Sequence, residues 1–292
     1  MNGVLIIDKP AGLTSHDVVN RVRRILEERS IGHLGTLDPM ATGVLPLVLG
    51  RMTRLAQFYT SSEKVYEGAI RFGFATDTYD REGDRIGDPR PVAFGLEELR
   101  AAAAKFRGVI EQMPPPFSAK KIQGVPAYKL ARKKQEVALQ PVAVEVKEFE
   151  IGDLSGEVAR FRARVASGTY MRSIAHDLGQ QLGCGAHLCD LRRTRVEEFD
   201  ITDARTLEAL AQAAEAGTAE AMFVHPRRVL PAFPSVTAPP ESASRVRTGQ
   251  AVNLPEMSRA RQVKVFEGQN ELIAIATRIA GTLFHPKVVL AI

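Results

Sequence analysis

The fold of this chain is best deduced from one stretch, Gly32-His33-Leu34-Gly35-Thr36-Leu37-Asp38-Pro39-Met40-Ala41-Thr42-Gly43. Its glycines and proline predict a loop that presents a histidine and a carboxylate. Loops held by a rigid scaffold often carry catalytic groups. Asp38-Pro39 can equally start an ordinary turn, and His33 alone would more often be an ordinary loop histidine. From its composition, the stretch is therefore either a turn or a catalytic loop.

The segments before and after this loop predict two strands and a helix. Residues 4–7 and 44–49 are short apolar runs, which are typical of buried strands. Thr14 or Ser15 can cap a helix, because the apolar residues that follow keep helical spacing. These apolar residues are Val18, Val19, Val22, Ile25 and Leu26.

The patterning beyond residue 60 predicts an α+β domain built on a mixed sheet flanked by helices. Residues 76–90 are rich in aspartate and are expected to form an exposed loop. Predicted strands are 65–74, 142–151 and 157–165, and predicted helices are 96–106 and 171–182, the last one closed by Gly183.

A proline-rich stretch at 225–240 indicates a seam between two domains. Short strands separated by glycine-containing turns are predicted after it, at 263–266, 271–276 and 288–292. We therefore expect a large domain over residues 1–228 and a small β-rich domain over residues 229–292.

The charge of the chain favours a polyanionic partner, though only mildly. The formal net charge is +5, and residues 229–292 carry seven Lys or Arg against four Glu. No stretch approaches the roughly 20 apolar residues of a membrane helix, and the N-terminus lacks the basic segment of a signal peptide. A cytoplasmic protein without membrane contact is expected.

Cys184 and Cys189 flank His187, but a structural zinc site needs about four ligands. No second Cys/His cluster stands nearby in the sequence, so we predict reduced thiols and no metal.

Three further stretches contain candidate functional residues. Arg172 falls in the first turn of a predicted helix, where the helix dipole disfavours a cation unless a carboxylate lies close. Tyr66 lies on a predicted strand, where a tyrosine is more often a core residue. Arg192 and Arg193 could bind phosphate, although two arginines more often lie on a solvated face.

Taken together, these motifs resemble the bacterial tRNA pseudouridine-55 synthases, the TruB family. The resemblance covers residues 1 to about 215 in the same order and continues into the tail, which looks like a small PUA-type RNA-binding domain. Its motifs are Asp8-Lys9-Pro10 with Gly12 and Ser15, the loop at 32–43, the Tyr66 strand, 167–172 and 183–193.

The resemblance implies an isomerase that converts a uridine of the tRNA T-loop to pseudouridine. It makes Asp38 the catalytic carboxylate, paired with Arg172, and makes Tyr66 the tyrosine that stacks on the target base. It further assigns Tyr170 and Leu191 to the uracil pocket. The path at the ribose stays open between a covalent adduct with Asp38 and removal of a proton.

The target nucleotide must leave its stack to be reached, and His33 matches the residue that takes its place. Lys9 matches a residue that supports the active-site loop, and we count it with the substrate-binding residues. The reaction is redox-neutral, so no cofactor and no metal is expected. The predicted partner is the T-arm of tRNA, with no guide RNA and no obligate protein partner.

Two other functions remain open. One is a guide-RNA-dependent relative, the catalytic subunit of box H/ACA particles, which shares the catalytic motifs. The other is a non-catalytic RNA-binding protein or tRNA folding chaperone, a role that could also coexist with catalysis.

Overall fold

The structure, a computed structural model, describes residues 1–118, 121–122, 125–126 and 139–291. The helices of this part are α1 (Ser15–Ile25), α2 (Leu96–Ala104), α3 (Met171–Gln181), α4 (Leu207–Glu215) and α5 (Pro240–Arg247). Short 3-10 helices span Gly50–Phe58, Ile201–Asp203, Ala219–Met222 and Pro226–Arg228.

The strands of the N-terminal part are β1 (Gly3–Lys9), β2 (Ile31–His33), β3 (Thr42–Leu49), β4 (Lys64–Phe72), β5 (Ala75–Thr76), β6 (Arg85–Ile86), β7 (Gly108–Gln112), β8 (Lys121–Ile122), β9 (Val125–Pro126), β10 (Val142–Ser155), β11 (Val158–Val165), β12 (Ala186–Val196) and β13 (Phe199–Asp200). Those of the C-terminal part are β14 (Ser235–Thr237), β15 (Val252–Asn253), β16 (Gln262–Glu267), β17 (Glu271–Ala280) and β18 (Leu283–Val289).

The large sheet is mixed, as predicted. Its order is β1-β3-β12-β4-β11-β10-β7, with β2 on β3 and β13 on β12. The β3–β12 pair is parallel, whereas β1–β3 and β4–β12 are antiparallel. Alternate residues of β1 enter two different cores: Leu5 and Ile7 the first, Val4 and Ile6 the second. Burial of both strand faces explains why the sequence reads as an unbroken apolar run.

Helix α1 begins where the sequence predicted. Thr14 is its N-cap, and the Thr14 side chain and Asp17 form a capping box. This arrangement satisfies free backbone N–H groups at the start of the helix. Helix α3 packs Ile174 and Leu178 into the first core and gives way to Gly183, whose φ is +75°. Both predicted helices are therefore confirmed.

The C-terminal sheet has the order β14-β16-β17-β18-β15 and a core of its own. The second core lies between the two parts of the chain, because Phe266, Leu272 and Ile275 of the C-terminal sheet pack there with Val4 and Ile6 of β1. Lys264 is buried, and its ammonium donates to the backbone oxygens of Arg227 and Val229 at 2.8 and 2.9 Å. The C-terminal domain is thus β-rich and tightly joined to the large sheet.

Two sequence-based predictions need correction. The last strand begins at Leu283 and ends at Val289, not at 288–292, because exposed His285 and Lys287 interrupt the apolar pattern. The segment 76–90 is not exposed throughout, since Thr76 and Asp80 are buried. Composition could not show that this aspartate-rich turn folds back against α3.

Within the described ranges, no helix combines the length and the apolar character needed to cross a membrane.

Candidate active site

The loop that carries Asp38 is anchored by the strands at its two ends and by hydrogen bonds to residues at and before the start of α1. It leaves β2, which pairs with β3 through His33 and Leu47, and it returns to β3 at Thr42. The backbone N–H of Leu37 donates to Ser15 Oγ at 2.9 Å, and Gly12 N–H donates to the Pro39 carbonyl at 2.8 Å. The Asp38 side chain stays 32% exposed. Hydrogen bonds therefore fix the backbone of the loop, and the Asp38 carboxylate remains partly accessible to solvent.

Lys9 supports this loop from the inside. The residue is fully buried, and its ammonium donates to the carbonyls of Pro10, Leu13 and Pro39 at 2.9, 2.6 and 3.1 Å. Burial lowers its pKa to about 8. All three N–H groups are used within the protein, and the place of Lys9 among the substrate-binding residues stays a prediction. Its geometry is that of loop support.

Arg193 also supports the loop, a role that could not be predicted from the sequence. Its guanidinium is fully buried and donates to the carbonyls of Val44, Thr36 and Gly35 at 2.8, 3.2 and 3.0 Å. A Cβ at Gly43 would lie 2.2 Å from the Arg193 carbonyl oxygen. The expectation of a solvated face is therefore wrong for Arg193, whereas Arg192 is half-buried and pairs with Asp8 at 2.8 Å.

Asp38 and Arg172 are in direct contact. Arg172 Nη2 donates to Asp38 Oδ1 at 3.0 Å, and Arg172 Nε lies 2.9 Å from Oδ2. Arg172 is only 4% exposed, and it also donates to the carbonyls of Thr78 and Phe117. The nearby carboxylate accounts for a cation in the first turn of α3, where the helix dipole alone would disfavour it.

A second carboxylate, Asp80, lies on the opposite side of Arg172 and was missed in the sequence. Its Oδ2 is 3.4 Å from Arg172 Nη1, while Oδ1 accepts hydrogen bonds from Thr78 Oγ1 and the Glu82 N–H at 2.7 and 3.0 Å. The buried Arg172 guanidinium thus forms ion pairs with two carboxylates. Only the proximity of Asp80 to Arg172 in the folded chain reveals this arrangement.

The turn that carries Asp80 has an unusual backbone. Tyr79 has a φ of +65°, in a region that few residues other than glycine adopt. Its ring stacks on that of His176 in α3, with centroids 3.8 Å apart and planes 16° apart. Its carbonyl accepts the Leu188 N–H at 3.0 Å. These contacts hold the turn so that Asp80 faces Arg172.

The electrostatics of Asp38 result from opposing effects. Burial raises the pKa of Asp38 above its ordinary value; the Arg172 guanidinium offsets part of this rise, and the charge of Asp80 adds to it. Arg172 therefore favours the ionised carboxylate, which is the form that can act as a nucleophile or base. Asp80 both neutralises Arg172 and opposes that ionisation.

The structure also describes three of the remaining predicted site residues, Tyr66, Leu191 and Tyr170. Tyr66 and Leu191 are buried in the same core as Leu37. Tyr170 is the N-cap residue of α3, and its N–H donates to Gln112 Oε1 at 2.8 Å. Burial raises the pKa of the Tyr170 hydroxyl, a hydrogen bond with Ser118 and the charge of Arg172 lower it, and the charge of Asp38 raises it.

His33 is half-buried and is the last residue of β2, where the loop that carries Asp38 begins. Burial lowers its pKa, and the charges of Arg193 and His16 lower it further. Its position in the loop is that expected from the resemblance, although its role in binding stays a prediction.

The two cysteines are free thiols. Cys189 Sγ donates to the Ala69 carbonyl, and His187 Nδ1 lies 3.1 Å from the Phe74 carbonyl. Among the residues that the structure describes, no group of three or more His, Cys, Asp or Glu is arranged to hold a metal ion.

Asp177→Asn is expected to stabilise the fold at neutral pH. Burial raises the pKa of Asp177, half-buried in α3, from 3.8 to about 6. Folding therefore disfavours its ionisation, so the destabilising effect develops between about pH 4 and pH 6 and is complete above. Thermal unfolding should show a higher Tm than wild type at pH 8 and a smaller difference at pH 5.

Asp88→Asn, which replaces an exposed aspartate, is the control. Its Tm difference from wild type should be the same at pH 5 and at pH 8. An Asp177→Asn variant that is less stable than wild type at pH 8 would contradict the prediction.

Comparisons with known proteins show the family of this chain. Residues 23–171 match the family model described as TruB family pseudouridylate synthase (N terminal domain). Residues 172–232 match the model of the tRNA pseudouridylate synthase B C-terminal domain. The boundary between the two matches lies at Arg172, the residue that joins Asp38 to Asp80.

Two relatives extend the likeness over nearly the whole chain. The tRNA pseudouridine synthase B of Solibacter usitatus (strain Ellin6076) is 50% identical over 293 residues, covering 99% of this chain and 100% of that protein. The tRNA pseudouridine synthase B of Stutzerimonas stutzeri (strain A1501) is 39% identical over 278 residues, covering 94% of this chain and 91% of that protein.

Solved structures show the same fold. That of a Cbf5-Nop10-Gar1 complex aligns with a TM-score of 0.70 and 27% identity, over 96% of this chain and 79% of that chain. That of an H/ACA RNP bound to a substrate RNA containing 2'-deoxyuridine aligns with a TM-score of 0.72 and 24% identity, over 99% and 85%. Family models, relatives and fold agree, and the chain belongs to the TruB family of pseudouridylate synthases.

Proposed function

We propose that this protein isomerises uridine-55 in the T-loop of tRNA to pseudouridine, with Asp38 as its catalytic carboxylate. The observation that carries the proposal is a partly exposed carboxylate on an anchored loop, held by an arginine that is 4% exposed. The 50% identity to a tRNA pseudouridine synthase B supports the substrate and the reaction.

The chemistry requires a carboxylate at the ribose. The N-glycosidic bond breaks, the uracil turns while it stays in the site, and its C5 bonds to the ribose carbon that N1 has left. The proton on C5 is then lost, and N1 gains one, so no atom is added overall. Asp38 either attacks the ribose carbon or removes a proton from the ribose, and a carboxylate can perform each step.

The other residues bind and orient the nucleotide. Arg172 favours the ionised form of Asp38 and fixes the direction of its carboxylate, and Tyr66 stacks on the target base. Tyr170 and Leu191 line the uracil pocket, and His33 fills the place of the flipped nucleotide. Because the isomerisation is redox-neutral and takes up no external group, these residues suffice without a cofactor.

The C-terminal residues 229–292 extend the RNA-binding surface in this proposal. Their net charge of +3 suits a polyanion, and a PUA-like role follows from the family resemblance. Since tRNA is the substrate, the protein acts in the cytoplasm.

The protein acts on tRNA without a guide RNA or a protein partner. The solved neighbours are from complexes, but the relative at 50% identity is named as a tRNA pseudouridine synthase and is matched over its full length. A role in tRNA folding can coexist with catalysis, because binding the T-arm needs no turnover.

The proposal is tested by tritium release from a T-arm stem-loop RNA labelled at uracil C5, with purified protein and nothing else. Release confirms a stand-alone synthase. No release from folded protein and RNA, but release after addition of guide RNA and partner proteins, would instead identify a guide-dependent enzyme. Binding without release under either condition would leave a binding protein.

Asp80→Asn is expected to move the acidic limb of the pH–rate profile to lower pH. The charge of Asp80 raises the pKa of Asp38, so its removal lets Asp38 ionise at lower pH. The measurement is kcat against pH from 5 to 9, with Asp88→Asn as the control. A limb that moves to higher pH would show that Asp80 acts on Asp38 chiefly by orienting Arg172.

A further inference from the structure

Two basic side chains approach Gly35, three residues before Asp38, and a third basic residue, His33, precedes it in the same loop. A Cβ built at Gly35 would lie 3.4 Å from Lys64 Cε and 3.5 Å from Arg193 Nη1, so both side chains approach the same point. His33 lies two residues away, and the charge of Arg193 acts on it. Among the described residues, no carboxylate forms an ion pair within 4.0 Å with any of these three side chains.

The three groups differ in what they have left to offer a ligand. Each terminal nitrogen of Arg193 donates to a loop or strand carbonyl, which fixes the guanidinium in place. The Lys64 ammonium donates only to the Ser62 carbonyl, at 2.9 Å, among the described residues. Two of its three N–H groups are therefore free for an acceptor. His33 has a buried Nδ1 that makes no hydrogen bond with the residues described.

The position of Lys64 is unfavourable for a cation in the free protein. Burial and the charge of the nearby Arg193 together lower the pKa of Lys64 to about 8, against a smaller opposing effect of Glu197. Glu197 is exposed, and its Oε1 accepts the Glu63 N–H at 2.7 Å. A half-buried lysine placed beside a buried arginine opposes folding, and such residues are concentrated at functional sites.

A phosphodiester matches this cluster. It is a monovalent anion with several acceptor oxygens, so it can take the free N–H groups of Lys64 and offset the charge of Arg193. Gly35 and Asp38 are three residues apart, so their Cα atoms lie at most about 11 Å from each other. An anion at Gly35 is therefore close to the nucleotide that Asp38 would attack.

We propose that Lys64, backed by Arg193 and His33, binds a phosphodiester of the RNA strand next to the nucleotide that enters the Asp38 site. The inference rests on the proposed function, because it takes RNA as the ligand. It adds a specific contact between the protein and the RNA backbone. In this contact Lys64 donates the hydrogen bonds to the phosphodiester, while Arg193 fixes the loop and supplies positive potential.

The test uses Lys64→Met and Lys64→Arg in an Asp38→Asn background, which prevents turnover during titration. The probe is an unmodified T-arm stem-loop RNA, and Kd is measured between 50 and 200 mM salt. Lys105→Met removes the same charge from an exposed lysine at the end of α2 and is the matched control.

Lys64→Met is expected to weaken binding about tenfold, as for loss of a charged hydrogen bond. The slope of log K against log salt should fall by about 0.7 to 0.9, the change for one phosphate contact. Lys105→Met should change neither quantity. Unaltered affinity and slope in Lys64→Met would overturn the phosphate site.

Two further readouts separate binding from a structural role. Without RNA, Lys64→Met should raise Tm at pH 7, because the unfavourable charge is gone while the apolar stem remains; a structural cation would give a lower Tm. Between pH 7 and 9 the affinity of the parent should fall more than that of Lys64→Arg, since arginine stays charged. Equal pH dependence in the two proteins would contradict the assignment of the contact to Lys64.

The two proposals can fail separately. Tritium release by the wild-type protein, together with normal binding by Lys64→Met, would remove only the phosphate site. Absence of any T-arm binding by the parent would remove the proposed function itself.

Discussion

Asp38→Asn is expected to abolish turnover, with a loss of at least about 10⁴-fold in kcat, the scale seen when a catalytic carboxylate is removed. The amide cannot act as a nucleophile or as a base, yet it has nearly the shape of the carboxylate and can still accept a hydrogen bond from Arg172. Binding of T-arm RNA should change by less than about threefold, because phosphate contacts dominate affinity. Single-turnover tritium release and a separate Kd titration measure the two effects.

The control for this experiment is Asp88→Asn, an exposed aspartate of the 76–90 segment, which should retain the wild-type kcat. Turnover of Asp38→Asn within about tenfold of wild type, an effect near 1.4 kcal/mol on the barrier, would exclude Asp38 as the catalytic carboxylate.

Arg172→Met is expected to lose both activity and stability. It leaves Asp80 buried without its cation, and breaking such a pair from one side costs about 3–5 kcal/mol of the free energy of unfolding. It also frees Asp38 from the contact that favours its ionised form. The urea midpoint and kcat of the same preparation measure the two losses.

The double variant Arg172→Met/Asp80→Asn separates these losses. Removing the orphaned charge at Asp80 should restore part of the stability but none of the activity, because Asp38 still lacks its partner. The matched control is Arg162→Met on β11, whose ion pair with Glu148 is exposed and should contribute less than about 1 kcal/mol. Full recovery of kcat in the double variant would mean that Arg172 acts only through stability.

The elements that could be predicted are those with a local signal. The apolar runs of β1 and β3, the helical spacing of α1 and its capping residue Thr14 all follow from neighbouring residues. The family resemblance led to the contact of Asp38 with Arg172. The spacing of apolar residues along a segment indicates which of its faces is buried, and each of these segments buries a continuous face.

The features that could not be predicted depend on the path of the chain in space. Asp80 reaches Arg172 only because Tyr79 adopts a φ of +65° and the turn bonds to β12. Arg193 is buried because its neighbours supply carbonyls from residues about 150 positions earlier, and a side chain with such partners looks like any surface arginine in the sequence. Likewise, the three carbonyls that bind the Lys9 ammonium belong to residues that come before and after α1 in the sequence.

The apolar core shared by β1 and the C-terminal sheet bears on how this architecture can change. Val4 and Ile6 meet Phe266 and Ile275 there, so excision of residues 229–292 would expose an apolar surface on the domain that holds Asp38. The C-terminal domain is consequently not an interchangeable module. A C-terminal domain taken from a relative is therefore expected to fit this chain only when the residues on both sides of the interface are compatible.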